Sequence, residues 1–378
     1  MAASRRHPDG VRHGIKKQGE LMLDEFARIR LWTGERQRPA LLREQGVVLG
    51  IGDDAAVVET PPDAEGGATQ WLLAVDTMVE TVHFNDATMG DADVGWKALA
   101  ANVSDIAAMG GVPRHALVSV SVPKTWEPAR VGRLYDGLYA CADYYGVAIV
   151  GGDTTSSPAQ LVVAVTVTGT VEAGAAISRA GASPGDAVFV TGPVGMSGAG
   201  LHWLLAAAEP GAGQPVPLAA AEADGTAALV AAHRRPLPSV RAARLLAARG
   251  TVTSLNDVSD GLASEAWEIA MASGVTLALR ESQLPYSGSM TAYAHRRGVD
   301  PLEWMLYGGE DYVLLGTIRR EDAEAARAAL AAEGLPMYIV GEAEEGEIGV
   351  SLIRDRGAAR QAGRREAIAK RGYNHFNG

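Results

Sequence analysis

Six aspartates stand where a folded chain could hold them close to a ligand. Asp53 and Asp54 follow VVLGIG, Asp76 follows WLLAV, Asp153 follows VAIVGG, and Asp257 and Asp260 follow VTSLN. Each apolar run reads as a strand, and several of the aspartates have glycine beside them. Strand ends place side chains firmly, and glycine lets backbone amides approach a ligand. A lone aspartate at such a point is ordinarily a turn former or a helix N-cap. Four strand ends that all carry one point elsewhere, because carboxylates without matching Lys or Arg repel unless cations lie between them. Asp105 extends the set. In GWKALAANVSDIAAMGG, Leu99, Val103 and Ile106 recur at helical spacing as an apolar stripe. Asn102 and Asp105 share a neighbouring face, with Lys97 within reach. That face is either a solvated edge or the lining of a metal and phosphate site.

Oxygen donors, few histidines and a single cysteine, Cys141, favour Mg²⁺ over zinc. Several Mg²⁺ ions suit phosphoryl transfer, since they bridge phosphate oxygens and offset transition-state charge. No GxxxxGK[ST] run occurs, which excludes a P-loop enzyme, and no HRD and DFG pair occurs, which excludes a protein-kinase pattern. The glycine-rich TGPVGMSGAGL (191–201) lacks GxGxxG spacing and reads as a turn before a helix. A net charge of −11 argues against a nucleic-acid partner and requires screening cations if phosphates bind. No apolar run reaches the roughly 18–20 residues that span a bilayer. Residues 1–20 are polar and basic without an apolar segment, so they are expected to be a disordered extension and not a secretory signal. One cysteine allows no intrachain disulfide and suits a cytoplasmic protein, with Cys141 expected as a core residue of a helix.

These residues need elements to position them. Helices are expected at DEFARIRLW, GWKALAANVSDIAAM and ARVGRLYDGLYACADYYG. Strands are expected at VVLGI, WLLAV, ALVSVSV, VAIV and LVVAVTVTGTV. A second series begins near Ile177: strands DAVFV, VTSLN, VTLALR, YVLLGTI and MYIVGEA, with helices SGAGLHWLLAAA and GLASEAWEIAMASG. The Ala/Gly/Pro-rich stretch 206–228 reads as surface loop or loose helix. The expected fold class is α/β (α+β, two domains), with an N-terminal domain at 21–172 and a C-terminal α+β domain at 173–378.

Taken together, GIGDDAAVV (50–58), VDTMVETVHF (75–84), GWKALAANVSDIAAMGGVP (95–113), GGDTT (151–155), RAGASPGD (179–186), NDVSDGL (256–262), YGGEDY (307–312) and GYNHF (372–376) resemble the thiamine-monophosphate kinase family. That family lies within the aminoimidazole-ribonucleotide-synthetase-like ATP-binding superfamily. The resemblance implies ATP and thiamine monophosphate as substrates, several Mg²⁺ ions, and a homodimer whose N-terminal domains, each with a mixed sheet, share a β-barrel. It implies Asp54, Asp76, Asp105, Asp153 and Asp257 as Mg²⁺ ligands, with Asp260 on a further ion and Asp105, Asp153 and Asp257 as the catalytic set. Gly152, Asp153, Arg179 and Ser259 would meet ATP. His83, Glu310 and Tyr373 would meet thiamine monophosphate, Tyr373 by stacking on its rings. Many relatives carry Ser-Thr before the residue matching Asp76, where this chain has Ala74-Val75, so a metal contact there would need backbone carbonyls. Two alternatives stay open at this point: another superfamily synthetase, selenophosphate- or amidine-forming, and a non-catalytic thiamine-phosphate-binding protein.

Overall fold

Apolar residues at every second position turn much of the first half of the chain into strands, and the longest of them alternate buried with less buried side chains along their length. The computed structural model describes residues 39–44, 46–50, 53–59, 69–209, 213–355 and 363–372. The expected helix at 24–32 and the extension at 1–20 lie outside the described residues. In chain order the first half contains α1 (Pro39–Glu44), β1 (Val47–Leu49), β2 (Ala56–Glu59), β3 (Thr69–Val79), α2 (Asp91–Ala108), β4 (Val112–Pro123), α3 (Pro128–Tyr145), β5 (Ala148–Ser157) and β6 (Val162–Glu172). Its strands form a mixed sheet in the order β1-β2-β3-β6-β4-β5, with the β4–β5 pair parallel.

Helix α2 carries Asp105, and its burial follows from its composition. Nearly all its side chains are apolar or small, and even Lys97, Asn102 and Ser104 are enclosed. Two glycines let α2 and α3 approach closely. A Cβ on Gly95 would lie 1.9 Å from the Leu134 carbonyl oxygen, and one on Gly137 would lie 1.8 Å from that of Ala92. No side chain fits at either crossing point, so the pair of glycines sets how deeply α2 sits.

The second half contains β7 (Ala187–Val190), α4 (Met196–Ala207), α5 (Leu218–Asp224), α6 (Ala227–Arg234), α7 (Val240–Arg249), β8 (Val252–Asp257), α8 (Leu262–Ser273), β9 (Thr276–Arg280), α9 (Gly288–Arg297), α10 (Pro301–Tyr307), β10 (Leu314–Ile318), α11 (Arg320–Ala332), β11 (Tyr338–Glu344), β12 (Gly349–Arg354) and β13 (Arg364–Ala367). The strand order is β13-β12-β9-β11-β7-β10-β8, again mixed, with β12–β9 parallel. Strands β7 and β10 are buried throughout because both faces are covered. Val188 and Val190 enter one core with α4, α6 and α8, while Ala187 and Phe189 enter another with α7 and α11. Ala107 and Ala108, at the end of α2, belong to that second core, which ties α2 to both sheets.

The two-domain α/β architecture with two mixed sheets agrees with the sequence expectation. Two aspartates differ from it. Asp76 lies inside β3 and Asp153 inside β5, not beyond their ends. The neighbouring strands explain this: β6 pairs with β3 from Thr69 to Val79, and β4 pairs with β5 as far as Ser157, so backbone pairing continues past the apolar run. No described helix is long and apolar enough to cross a membrane.

Candidate active site

Asp54, Asp105 and Asp257 reach one point from three separate segments. Each offers a carboxylate oxygen, and the three oxygens lie within 4.8 Å of one another. Asp54 precedes β2, Asp105 stands on the last turns of α2, and Asp257 ends β8. Ser104 donates its hydroxyl hydrogen bond to Asp257 Oδ2 at 2.6 Å, which orients that carboxylate. Asn102 locks the adjoining strand: its Oδ1 accepts from the Asp76 amide at 2.9 Å, and its Nδ2 donates to the Ala98 carbonyl at 3.0 Å. Asp76 pairs with buried Val165 in the β3–β6 ladder, which directs its side chain to the face that α2 covers.

Like charges in an enclosed place shift their own titration. Burial, then the charges of Asp76, Asp257 and Asp54, hold the Asp105 carboxyl well above the ordinary carboxylate range. Burial and the charge of Asp54 push Asp257 up to about 8. Asp53 is pushed up to about 6, by burial and by Asp54. Asp54 is raised by burial, against the pull of Arg179. One oxygen of Asp54, Oδ2, is buried without a hydrogen-bond partner. Three converging carboxylates with an orphaned buried oxygen form the donor set that a hard divalent cation accepts, so the residues present fit magnesium.

Arg179 is the cation of this cluster. Its guanidinium pairs with Asp54 and donates from Nε to Asn256 Oδ1 at 3.1 Å, and its amide donates to Asp53 Oδ2 at 3.2 Å. Asn256 in turn donates to Glu265 Oε2 at 2.6 Å, and Glu265 Oε1 accepts the Asp260 amide at 3.0 Å. Burial, then the Asp260 charge, hold Glu265 well above its usual range. Ser104 and Glu265 were not singled out in the sequence. Ser104 was legible beside Asp105 in NVSD, and Glu265 as an acid in the first turn of the helix after SDGL.

The remaining expected residues fall in three places. Ser259 and Asp260 form the turn after β8, where the Ser259 carbonyl accepts the Glu310 amide at 2.6 Å. Tyr373 lies outside the described residues, but its neighbour Gly372 abuts this turn: a Cβ on Gly372 would lie 2.4 Å from the Asp260 carbonyl oxygen. His83 closes the turn after β3. Its Nδ1 accepts the Val79 amide at 2.9 Å, which places the neutral ring's proton on Nε2. Gly152 and Asp153 stand on edge strand β5 and are exposed. Asp153 is in register with exposed Ser119, on the opposite face from Asp76, so it is not gathered with Asp54, Asp105 and Asp257. Gly152 has a reason in the strand itself, since a Cβ would lie 1.8 Å from the Val118 carbonyl oxygen.

Residues 52–171 match the family described as AIR synthase related protein, N-terminal domain, and residues 183–353 match its C-terminal domain. The chain is 39% identical over 354 residues to the thiamine-monophosphate kinase of Bacillus subtilis, covering 94% of this chain and 100% of that protein. It is 35% identical to the thiamine-monophosphate kinase of Aquifex aeolicus, over 79% of this chain and 87% of that one. Among solved structures, AaThiL complexed with AMPPCP and TMP superposes with a TM-score of 0.72 at 32% identity, covering 91% of this chain and 97% of that chain.

Proposed function

The chain belongs to the thiamine-monophosphate kinase family, and from that premise we propose how its acidic cluster serves the reaction. The activity is ATP-dependent phosphorylation of thiamine monophosphate to thiamine diphosphate, in thiamine biosynthesis. The proposed route is direct, in-line transfer of the γ-phosphoryl group, as the last step toward thiamine diphosphate. The observation that carries it is the convergence of Asp54, Asp105 and Asp257 with one buried oxygen unpaired.

Asp54, Asp105 and Asp257 would hold magnesium, with Asp76 beside them and Asp260 on a further ion; the family pattern also implies Asp153, which the fold does not gather with these three. Magnesium bound there would supply charge neutralisation on the phosphate oxygens beyond what Arg179 offers. The protein's own share is positioning. Ser104 and Asn102 hold Asp257 and β3 in place, and Arg179 balances Asp54. Gly152, Asp153, Arg179 and Ser259 are assigned to ATP, and His83, Glu310 and Tyr373 to thiamine monophosphate. The attacking atom is a phosphate oxygen, ionised near neutral pH, so no strong general base is required. No phosphoenzyme is needed, and the one cysteine is unsuited to forming one: Cys141 is buried, and burial pushes its thiol up.

The test is ADP release from ATP by the purified chain, with thiamine monophosphate or plain thiamine as acceptor. Turnover is expected with the monophosphate alone. Equal turnover with plain thiamine, or a phosphorylated protein trapped after incubation with ATP only, contradicts the proposal.

We also propose a homodimer in the cytoplasm. Leu73, Val75 and Leu117 are 39%, 62% and 49% exposed on the open face of the first sheet. Val75 and Leu117 both lie in register with Thr166, so they form one row across three strands. A second copy covering this face would complete a barrel and remove the apolar area from water. Light scattering is expected to give the mass of two chains for the native protein and of one for Val75→Glu; a native protein at the mass of one chain at micromolar concentration refutes the dimer.

A further inference from the structure

The ion pair between Lys97 and Glu310 stands apart from the acidic cluster. Lys97, on α2, is fully buried, and its Nζ donates to Glu310 Oε2 at 2.8 Å. An enclosed ammonium is costly unless it is paired and hydrogen-bonded, and Glu310 supplies that pairing. Glu310 is one-quarter exposed at its side chain, so the pair links the interior of α2 to an open surface.

The loop that carries Glu310 is pinned on every side. Glu310 and Tyr312 hold φ values of 67° and 53°, a region that residues other than glycine seldom occupy. Glu310 and Tyr312 donate their amides to Ser259 and Val258 at 2.6 and 2.9 Å. A Cβ on Gly309 would lie 2.3 Å from the Ser259 carbonyl oxygen. Asp311 is buried and accepts the Gly195 and Ser197 amides at 2.5 and 2.9 Å, which binds the loop to the start of α4. The backbone is therefore set, and the remaining freedom at Glu310 is in its side chain. Two groups meet its Oε2: Lys97, and His233 Nδ1 at 3.5 Å. His233 is a neutral neighbour, since burial and the charges of Lys97 and Arg234 hold it well below its usual range. It also touches Ser197 Oγ at 3.1 Å. Burial lowers the Lys97 pKa and the charge of Glu310 opposes that shift, so Lys97, at 2.8 Å, is the group that holds the Glu310 carboxylate.

We propose that Lys97 is a positioning residue for the acceptor: it orients the Glu310 carboxylate at the edge of the site, so that its loss weakens binding of thiamine monophosphate and leaves ATP binding intact. This deepens the reading of Glu310 as an acceptor contact and rests on it. A purely structural ion pair would instead affect stability and both substrates alike.

The test compares Lys97→Met, Glu310→Gln and the double variant by steady-state kinetics. Lys97→Met is expected to raise KM for thiamine monophosphate about tenfold or more, with KM for ATP within about twofold. Glu310→Gln should do the same. The double variant removes both charges of the pair, so it is expected to fold and to match Glu310→Gln alone, because residues acting through one contact are not additive. If Lys97→Met does not fold, the double variant against Glu310→Gln decides the matter. An acceptor KM unchanged in Lys97→Met, or a further loss of about tenfold in the double variant, overturns the proposal. Normal acceptor binding in Glu310→Gln with a raised KM in Lys97→Met would sink the role of Glu310. Absence of turnover in the unmodified protein is a separate result, which defeats the substrate reading.

Discussion

Asp105→Asn is expected to lower turnover by at least about a hundredfold while the fold survives, the scale seen when one preorganised charge-stabilising group is lost. Asn keeps the shape of the side chain on α2 but carries no charge. In the folded chain Asp105 offers one of three carboxylate oxygens within 4.8 Å, and no other described carboxylate occupies its place. The same substitution gives an internal control. Without divalent cations, Asp54, Asp105 and Asp257 repel one another, so removing one charge relieves the cluster. Asp105→Asn should therefore melt at or above the native temperature in chelator at about pH 8, although it is nearly inactive. Turnover within about threefold of native refutes the assigned role. A variant that is inactive because it melts far below the native protein shows that Asp105 is structural.

Chelation is expected to reduce turnover to background, with recovery on adding excess Mg²⁺, and the accompanying stability change has a defined pH dependence. Asp257 has a folded value raised from 3.8 to about 8, and Asp105 is shifted in the same direction. Between those limits the folded metal-free chain keeps a proton that the unfolded chain has released. Stability then falls as pH rises from about 4 to about 8, because the folded state binds more protons. Mg²⁺ takes the place of those protons, so its stabilising effect should grow across the same window. Differential scanning calorimetry with and without Mg²⁺ at about pH 5 and pH 8 measures this. A metal-free melting temperature that rises over that interval, or no Mg²⁺ effect at pH 8, contradicts the cluster's proposed role. Full turnover in chelator contradicts it more directly.

Much of the fold was legible because its strands and buried helices announce themselves by period. LVVAVTVTGTV and GWKALAANVSDIAAM could be read as a strand and a helix from apolar spacing alone, and both form as expected. Other elements carried weaker signals. Helix α11, REDAEAARAALAA, buries only Ala323, Ala326 and Leu330, a stripe too thin to separate from its charged surroundings. Helix α7 likewise buries Ala242, Ala243 and Leu246 beneath a row of arginines. Strand β13, RREA, has no fully buried residue and exists because β12 offers it a partner.

The site was legible to a different degree. Residue types and the spacing of motifs were enough to mark the aspartates as candidates and to favour magnesium over zinc, since these depend on chemistry written locally in the chain. Which aspartates meet was settled by folding. Asp54, Asp105 and Asp257 converge because α2 is drawn deep between the two sheets, whereas Asp153 faces away from Asp76 because strand side chains alternate. The partnership of Lys97 with Glu310 belongs to the same class: 213 residues separate them in sequence, and packing alone brings a buried ammonium to that carboxylate. Local order supplies the chemical groups; distance and direction between them come from the tertiary structure, because both depend on contacts made by other parts of the chain.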